Sequence, residues 1–340
     1  MNTRRTFLDV VYEKTNITED LRPHLKDWTY TDNLSGEVDD LNIVLEDRAT
    51  RWLNSMFPNK GSTLTASIIK ENWEGFKDKK KFKLGKFEID TITAKGEPTE
   101  VTISALSVPE STSIRRECKS KAWENVPLSA VAGDIAGKNG LKLHFESSEN
   151  PKKDRYEQDN ETDLQFLQRM CADEGLCLKI SNKNLVILDE QDYENKKAVG
   201  DIYRDNSVDT GIYVKSWEAI STVSEVFKNA KVEHHEGEKK IDIIATFNPP
   251  KMPKTGKTLV IKEEVKTQAE GIRLAKKRLR EKNKEATRLE LEVISRVHIE
   301  AGMNFNIKRF GKFNGKYIAY KVVHSGSLIT LSLRKCLEGY

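Results

Sequence analysis

Residues 162–180, which read TDLQFLQRMCADEGLCLKI, contain the most regular pattern of this sequence and decide the fold of its middle part. Thr162 or Asp163 can begin a helix, because either side chain accepts a hydrogen bond from a free N–H of the first turn. Gly175 ends this helix in the left-handed conformation that glycine adopts without strain. The apolar stripe of this helix consists of Leu164, Leu167, Met170 and Cys171. An alternating strand follows, with Leu176, Leu178 and Ile180 on one face.

The same order of helix, glycine and strand occurs once more, upstream. A helical stripe there ends at Gly137 and Gly140, and an alternating strand follows: Leu128, Val131, Ala132, Ile135 and Ala136, then Leu141, Leu143 and Phe145. Residues 146–160 are rich in charge and contain Pro151, so they are predicted to form a surface loop. Residues 111–200 are therefore predicted to form an α+β region.

The two outer parts of the chain, residues 1–110 and 201–340, are dominated by short alternating segments typical of strands. Leu41, Ile43 and Leu45 show the period of two of a half-buried strand. The tripeptides Gly85-Lys86-Phe87 and Gly311-Lys312-Phe313 precede similar strand patterns, which indicates a duplicated β domain. The predicted fold is α+β, mainly β, with two β domains flanking the smaller α+β region.

Composition excludes several classes of protein. The 340 residues include 57 Lys+Arg and 53 Asp+Glu, a net charge of +4, so no strong attraction to nucleic acid or membrane follows from the total. There is no run of 18 apolar residues, so stable membrane insertion is not expected. There is no signal peptide pattern, so synthesis in the cytosol is expected. The four cysteines are too few for a disulfide scaffold.

A basic amphipathic helix is predicted from Thr267 to about residue 285. Between residues 251 and 288 there are 13 Lys+Arg against five Asp+Glu. The basic face of this helix can be solvated, can contact an acidic protein or line a channel, or can bind nucleic acid through residues 267–288. Solvation or protein contact is favoured over nucleic acid, because no aromatic residues that could stack on bases are interleaved with the basic ones. The apolar stripe of this helix consists of Ile272, Ala275, Leu279 and Ala286. The candidate interface residues are Lys276, Lys277 and Arg280.

The sequence predicts no catalytic residue, metal site or cofactor. The sequence His234-His235-Glu236 would need a further metal ligand, and an exposed hairpin turn beside Gly237 is the better interpretation. Acidic residues near the first strands, including Asp39 and Asp47, are interpreted as solvated faces rather than as a pair for glycoside cleavage. A peptidoglycan-degrading enzyme is the alternative function.

Three segments resemble the phage late control protein D family, the baseplate hub of contractile tails. They are Trp28 to Arg48 with Trp52, Lys121 to Asn125, and Tyr156 to Leu176. The last segment is also similar to the hub portion of the VgrG spike proteins of type VI secretion. Within it, Asp163 is expected to cap the helix, Phe166 and Leu167 to seat it, and Gly175 to end it.

The resemblance implies two tail-tube-like β-barrels and a homotrimer that joins a sixfold tail tube to a threefold central spike. It implies a structural role without enzymatic activity or nucleic-acid binding, with a separate spike protein, the tube protein, other baseplate proteins and the tape measure protein as partners. The chain would be made in the bacterial cytoplasm, assembled into the baseplate of a phage or phage-tail-like bacteriocin, and released by lysis.

Overall fold

The computed structural model describes residues 3–108, 113–224, 226–236, 241–251 and 256–340, and most of its elements are strands. The mainly β character with a smaller α+β region is as predicted. The predicted boundary at 110/111 lies outside the described residues, and that at 200/201 falls inside the strand Gly200–Tyr203.

The first β unit has one short helix and seven strands around its own apolar core. Its elements are β1 (Arg5–Tyr12), β2 (Thr15–Asn16), α1 (Thr18–Leu21), β3 (Leu25–Asn33), β4 (Asp40–Glu46), β5 (Thr63–Glu71), β6 (Lys79–Lys95) and β7 (Glu100–Leu106).

The middle region packs its two longer helices, Leu128–Lys138 and Asp163–Asp173, on a three-stranded and a two-stranded sheet. Its elements are β8 (Cys118–Pro127), α2 (Leu128–Lys138), β9 (Lys142–Glu146), β10 (Lys152–Thr162), α3 (Asp163–Asp173), β11 (Leu176–Ser181), β12 (Asn184–Asp189) and α4 (Glu190–Asn195). The prediction of a loop over 146–160 was wrong, because β10 pairs with β8 and buries Tyr156 and Gln158 between the exposed charged residues Arg155, Glu157 and Asp159.

The last part of the chain contains a second β unit and an inserted layer. The second unit consists of β13 (Gly200–Tyr203), β14 (Ile212–Ser221), β18 (Thr287–Ser295), β19 (Asn304–Lys308), β20 (Gly315–Ser325) and β21 (Leu328–Lys335). The inserted layer consists of β15 (Phe227–Glu236), β16 (Ile241–Phe247), β17 (Lys257–Ile261) and α5 (Gln268–Asn283), and has a core of its own. His234–Glu236, predicted to lie in a hairpin turn, instead ends β15, and Gly237 lies outside the described residues.

The basic helix begins as predicted, with Thr267 Oγ1 accepting a hydrogen bond from Glu270 N at 3.2 Å. Its predicted apolar stripe is partly wrong. Ile272 is 41% exposed, and Ala286 lies beyond the end of the helix. The helix instead approaches the sheet at Gly271, where a Cβ atom would lie 2.6 Å from Ala245 Cβ. A glycine at the closest contact carries no apolar side chain, so a search for apolar periodicity misses it.

The two β units are joined to each other, because β3 pairs with β20 and the strands of both units form one 13-stranded sheet. The strands of each unit follow one another in equivalent order. The first unit reads β3-β4-β7-β6-β5-β1 across the sheet, and the second reads β14-β18-β21-β20-β19-β13. Every neighbouring pair from β3 to β5 is antiparallel, as are its counterparts from β14 to β19. The final pairing differs, since β1–β5 is antiparallel and β13–β19 is parallel.

Two register shifts also fall at equivalent places in the two units. The first lies between Leu25 and Asp27 in β3 and between Val214 and Ser216 in β14. The second lies between Ile89 and Thr91 in β6 and between Ala319 and Lys321 in β20. The same register places the buried residues Leu41, Ile43 and Leu45 of β4 in the positions of Leu289, Leu291 and Val293 of β18.

This register corrects the tripeptide match made from the sequence. Gly311-Lys312-Phe313 forms a 3₁₀ turn. The counterpart of Gly85-Lys86-Phe87 in β6 is Gly315-Lys316-Tyr317 in β20. Gly85 and Gly315 have φ values of +113° and +149°, a region that favours glycine, and Phe87 and Tyr317 both follow into the core.

Candidate functional site: charged joints between the units

Lys179 of β11 joins the middle region to the first β unit. Its Nζ contacts Asp32 and lies 2.9 Å from Asp39 Oδ2. Asp32 Oδ2 also accepts a hydrogen bond from Ala301 N, in the second unit, at 2.8 Å. Burial raises the pKa of Asp39 to about 6 despite the neighbouring lysine, whereas the two carboxylates raise the pKa of Lys179 against the effect of its burial. Asp39 and Asp47 are both buried, at 3% and 0% exposure, so the prediction that they belong to solvated faces was wrong.

A second joint is a buried cluster of five charged side chains from three parts of the fold. Arg334 of β21 lies 2.7 Å from Glu190 and 3.1 Å from Glu194, both of α4. Arg280 of α5 lies 2.7 Å from Glu194, and Lys284 lies 3.4 Å from Glu190. Burial alone would raise the pKa of Glu190, but Arg334, Lys284 and Arg280 together lower it. These ion pairs connect the second unit, the inserted layer and the middle region.

A third joint holds α5 against the middle region. Lys277 lies 2.8 Å from Glu149 and 3.2 Å from Glu174, and Lys153 lies 3.0 Å from Glu174. Arg278 lies 3.1 Å from Asp173. The basic side of the helix is thus largely neutralised by carboxylates of the same chain.

The three candidate interface residues of the helix therefore have different surroundings. Arg280 is buried in the second joint and Lys277 is mostly covered in the third, so both contact carboxylates of the same chain, and their role at an interface with another chain stays a prediction. The sequence pattern did not indicate these contacts, because the acidic partners lie far away along the chain. Lys276 is half-buried beside them, and its role at an interface stays a prediction.

The motif around α3 positions the middle region internally. Thr162, rather than Asp163, caps the helix, since Thr162 Oγ1 accepts from Gln165 N at 3.2 Å in a capping box. Asp163 is buried and accepts hydrogen bonds from Lys119, Asn139 and Gln158 at 2.7, 3.1 and 3.0 Å. These three bonds link β8, the end of α2 and β10 to the start of α3.

The apolar side of α3 supports the same arrangement. Phe166 and Leu167 are fully buried, and the Phe166 ring stacks on Trp123 at 5.3 Å. Gly175 has a φ of +67°, the left-handed conformation that ends the helix.

The contact between the two β units contains a row of stacked rings. Tyr30 of β3 stacks on His324 of β20 at 5.9 Å, and His324 stacks on His298 at 6.0 Å. His324 Nε2 lies 3.0 Å from Ile299 O. Nearby, Lys70 of β5 donates from Nζ to Ser295 O at 2.7 Å, and its burial lowers its pKa to about 8. No sequence motif indicated this contact, because its members are isolated residues of different strands.

The described residues contain no group of three or more His, Cys, Asp or Glu arranged to hold a metal ion. Burial raises the pKa values of the Cys171 and Cys336 thiols to about 12, which disfavours the nucleophilic thiolate. Among the described residues, no helix is both long and apolar enough to cross a bilayer. The arrangement is one of charged and aromatic contacts that fix four packed parts relative to one another.

Comparison with known families gives this arrangement its context. Residues 89–328 match the family model described as phage tail baseplate hub (GPD). The chain belongs to this family. It is 30% identical over 182 residues to a probable baseplate hub protein of Escherichia phage P2, and 28% identical over 178 residues to that of Escherichia phage 186. These matches cover 53% and 51% of the chain but 44% and 42% of the relatives, so the chain matches less than half the length of either curated hub protein.

Solved structures share the fold of this baseplate hub family member at low sequence identity. A tail protein from Neisseria meningitidis is 12% identical with a TM-score of 0.72 and coverage of 97% of both chains. The 43 kDa tail protein of prophage MuSo2 from Shewanella oneidensis is 14% identical with a TM-score of 0.71, covering 97% of this chain and 98% of that one. A type VI secretion system component from E. coli is 12% identical with a TM-score of 0.57, covering 100% and 78%.

Proposed function

We propose that this chain is a trimeric, non-enzymatic symmetry adapter that joins the sixfold tail tube to the threefold central spike. The observation that carries the proposal is the repeated β unit, with equivalent strand order and equivalent register shifts. Three copies of a chain with two such units present six similar units on one side, while the rest of each chain occurs only three times. The tube, the spike, other baseplate proteins and the tape measure protein are the proposed partners.

The charged joints support this role, because a symmetry adapter must keep its two β units at a fixed spacing. Lys179, Asp32 and Asp39 fix the first unit to the middle region, and Arg334 with Glu190 and Glu194 fixes the second unit to the same region. We infer that these buried ion pairs specify one arrangement of the parts, because moving the parts would leave buried charges without partners. We infer that the middle region is the frame that holds the two units in register.

The test is the mass of the purified chain and its copy number in the particle. Light scattering across a concentration series is expected to give three times the chain mass of 38.8 kDa. Cryo-electron microscopy of the tail is expected to show three copies between tube and spike. A particle with one or six copies of this chain at that level contradicts the proposal.

A further inference from the structure

The contact between β3 and β20 within the chain shows how two of these β units meet. Residues 30–33 of β3 pair antiparallel with residues 321–324 of β20. Leu34, just beyond β3, continues the contact, since its N–H donates to Tyr320 O at 2.9 Å. Leu34, Val322 and His324 are buried there.

The equivalence of the units identifies a corresponding pair of edges elsewhere in the sheet, one in β14 and one in β6. The counterpart of β3 is β14, which is the last strand of the sheet path. The counterpart of residues 321–324 is 91–94 of β6, which pair with β7 on one side, whereas β5 pairs with β6 only up to Glu88. Within the part of the chain that the structure describes, no strand pairs with the other side of either stretch.

We propose that β14 of one copy pairs antiparallel with residues 91–94 of β6 in the next copy, and that three such contacts close a ring of six β units. This inference rests on the proposed function and gives its subunit contact. The register of the contact within the chain transfers directly and places Thr222 opposite Thr91, Ser221 opposite Ile92, Ile220 opposite Thr93 and Ala219 opposite Ala94.

The backbone of β14 is oriented for this pairing. Thr222 N donates to Ala286 O, toward the interior of its own sheet. Because successive N–H groups of a strand point to opposite edges, those of Ser221 and Val223 point outward. Val223 N is then the counterpart of Leu34 N, and its acceptor in the next copy is Asp90 O, the counterpart of Tyr320 O.

The exposed apolar residues and the charges of these two edges fit pairing with a second copy of the chain. Leu34 is 4% exposed, whereas its counterpart Val223 is 73% exposed, and Ile220 in the proposed contact is 40% exposed. Continued by one residue, the register sets Glu218 opposite Lys95, an ion pair of opposite charges across the strands. An open strand edge with apolar residues also invites uncontrolled pairing, which closure into a ring removes.

Cysteine cross-linking tests the register. Ile220 and Thr93 form a pair without direct hydrogen bonds in this register, whose Cα atoms lie about 4.5 Å apart and suit a disulfide. In a C118S background, which removes an exposed cysteine, the variant I220C/T93C is expected to give covalent dimers and closed trimers on non-reducing gels. The matched control S221C/T93C points its thiols to opposite faces of the sheet and is expected not to cross-link.

A backbone variant tests the contact independently. Ser221→Pro removes an outward N–H that β18 does not use, and proline is tolerated on edge strands. Ser221→Ala keeps that N–H and is the control. Trimer association of Ser221→Pro is expected to weaken roughly tenfold or more relative to Ser221→Ala, with thermal unfolding showing that both variants are folded.

The outcomes separate this contact from the proposed function. A chain that has the trimer mass without cross-linking I220C/T93C, or with Ser221→Pro still fully trimeric, overturns the contact and leaves the trimer intact. Equal cross-linking of both cysteine pairs overturns the register. A copy number other than three in the tail particle contradicts the proposed function and, with it, this contact.

Discussion

At the scale of single residues, His324 couples protonation to the contact between the two β units. Burial first, and then the neighbouring His298, lowers its pKa from 6.5 to about 3. The unfolded chain therefore binds a proton between pH 6.5 and 3 that the folded chain does not bind, so the folded state loses stability as the pH falls through this range. Lys70 and Glu300 also face this site and act in opposite directions on the His324 pKa.

We predict that His324→Gln makes the free energy of unfolding less dependent on pH between 6.5 and 4. The wild-type chain should lose up to about 1.4 kcal/mol per pH unit more than the variant in this range. Chemical denaturation at several pH values measures the difference between the two slopes, in which contributions of other groups such as Asp39 cancel. Parallel slopes for the two proteins would show that His324 does not titrate as described.

At the scale of elements, α4 contributes Glu190 and Glu194 to a buried cluster that also holds α5 and β21. Glu194 is 2% exposed and lies within 3.1 Å of both Arg280 and Arg334. Removing one charge from such a cluster leaves the others buried without full compensation, which costs about 3–5 kcal/mol.

We predict that Glu194→Gln lowers the free energy of unfolding by about 3–5 kcal/mol, as measured by chemical denaturation. The matched control is Glu19→Gln, which breaks the exposed pair with Arg22 and should change stability little. A similar small effect for Glu194→Gln would mean that the cluster does not hold these three elements together.

The elements differ in how far the sequence predicts them. Helix α3 and the strand after it were predictable, because Leu164 to Ile180 change cleanly from a helical period to alternation. Strand β10 was not predictable, because its exposed charges resemble a loop and Tyr156 is its one large apolar residue on the buried side. The joints were unpredictable because Lys179, Arg280 and Arg334 meet carboxylates that are distant in sequence.

At the scale of the whole molecule, the duplication could be predicted but its alignment could not. The tripeptide at 311–313 resembles 85–87 by chance, and the true counterpart at 315–317 carries tyrosine in place of phenylalanine. The joining of β3 to β20 was also hidden, since strand pairing between distant segments depends on the assembled sheet rather than on local pattern. The two β domains are consequently linked through one continuous sheet.

A continuous sheet predicts that the two β units unfold together. Ile43 and Leu291 occupy equivalent positions, each buried in the core of its own unit. Truncating either one to alanine is expected to cost about 2–5 kcal/mol, and Thr330→Ala, at an exposed position of β21, to cost little. Because backbone pairing and the Lys70 and Asp32 contacts couple the units, calorimetry should show both core variants shifting the same transition to lower temperature. Two separate transitions, each shifted by only one of the core variants, would mean that the units are energetically independent and that a rigid frame does not set their spacing.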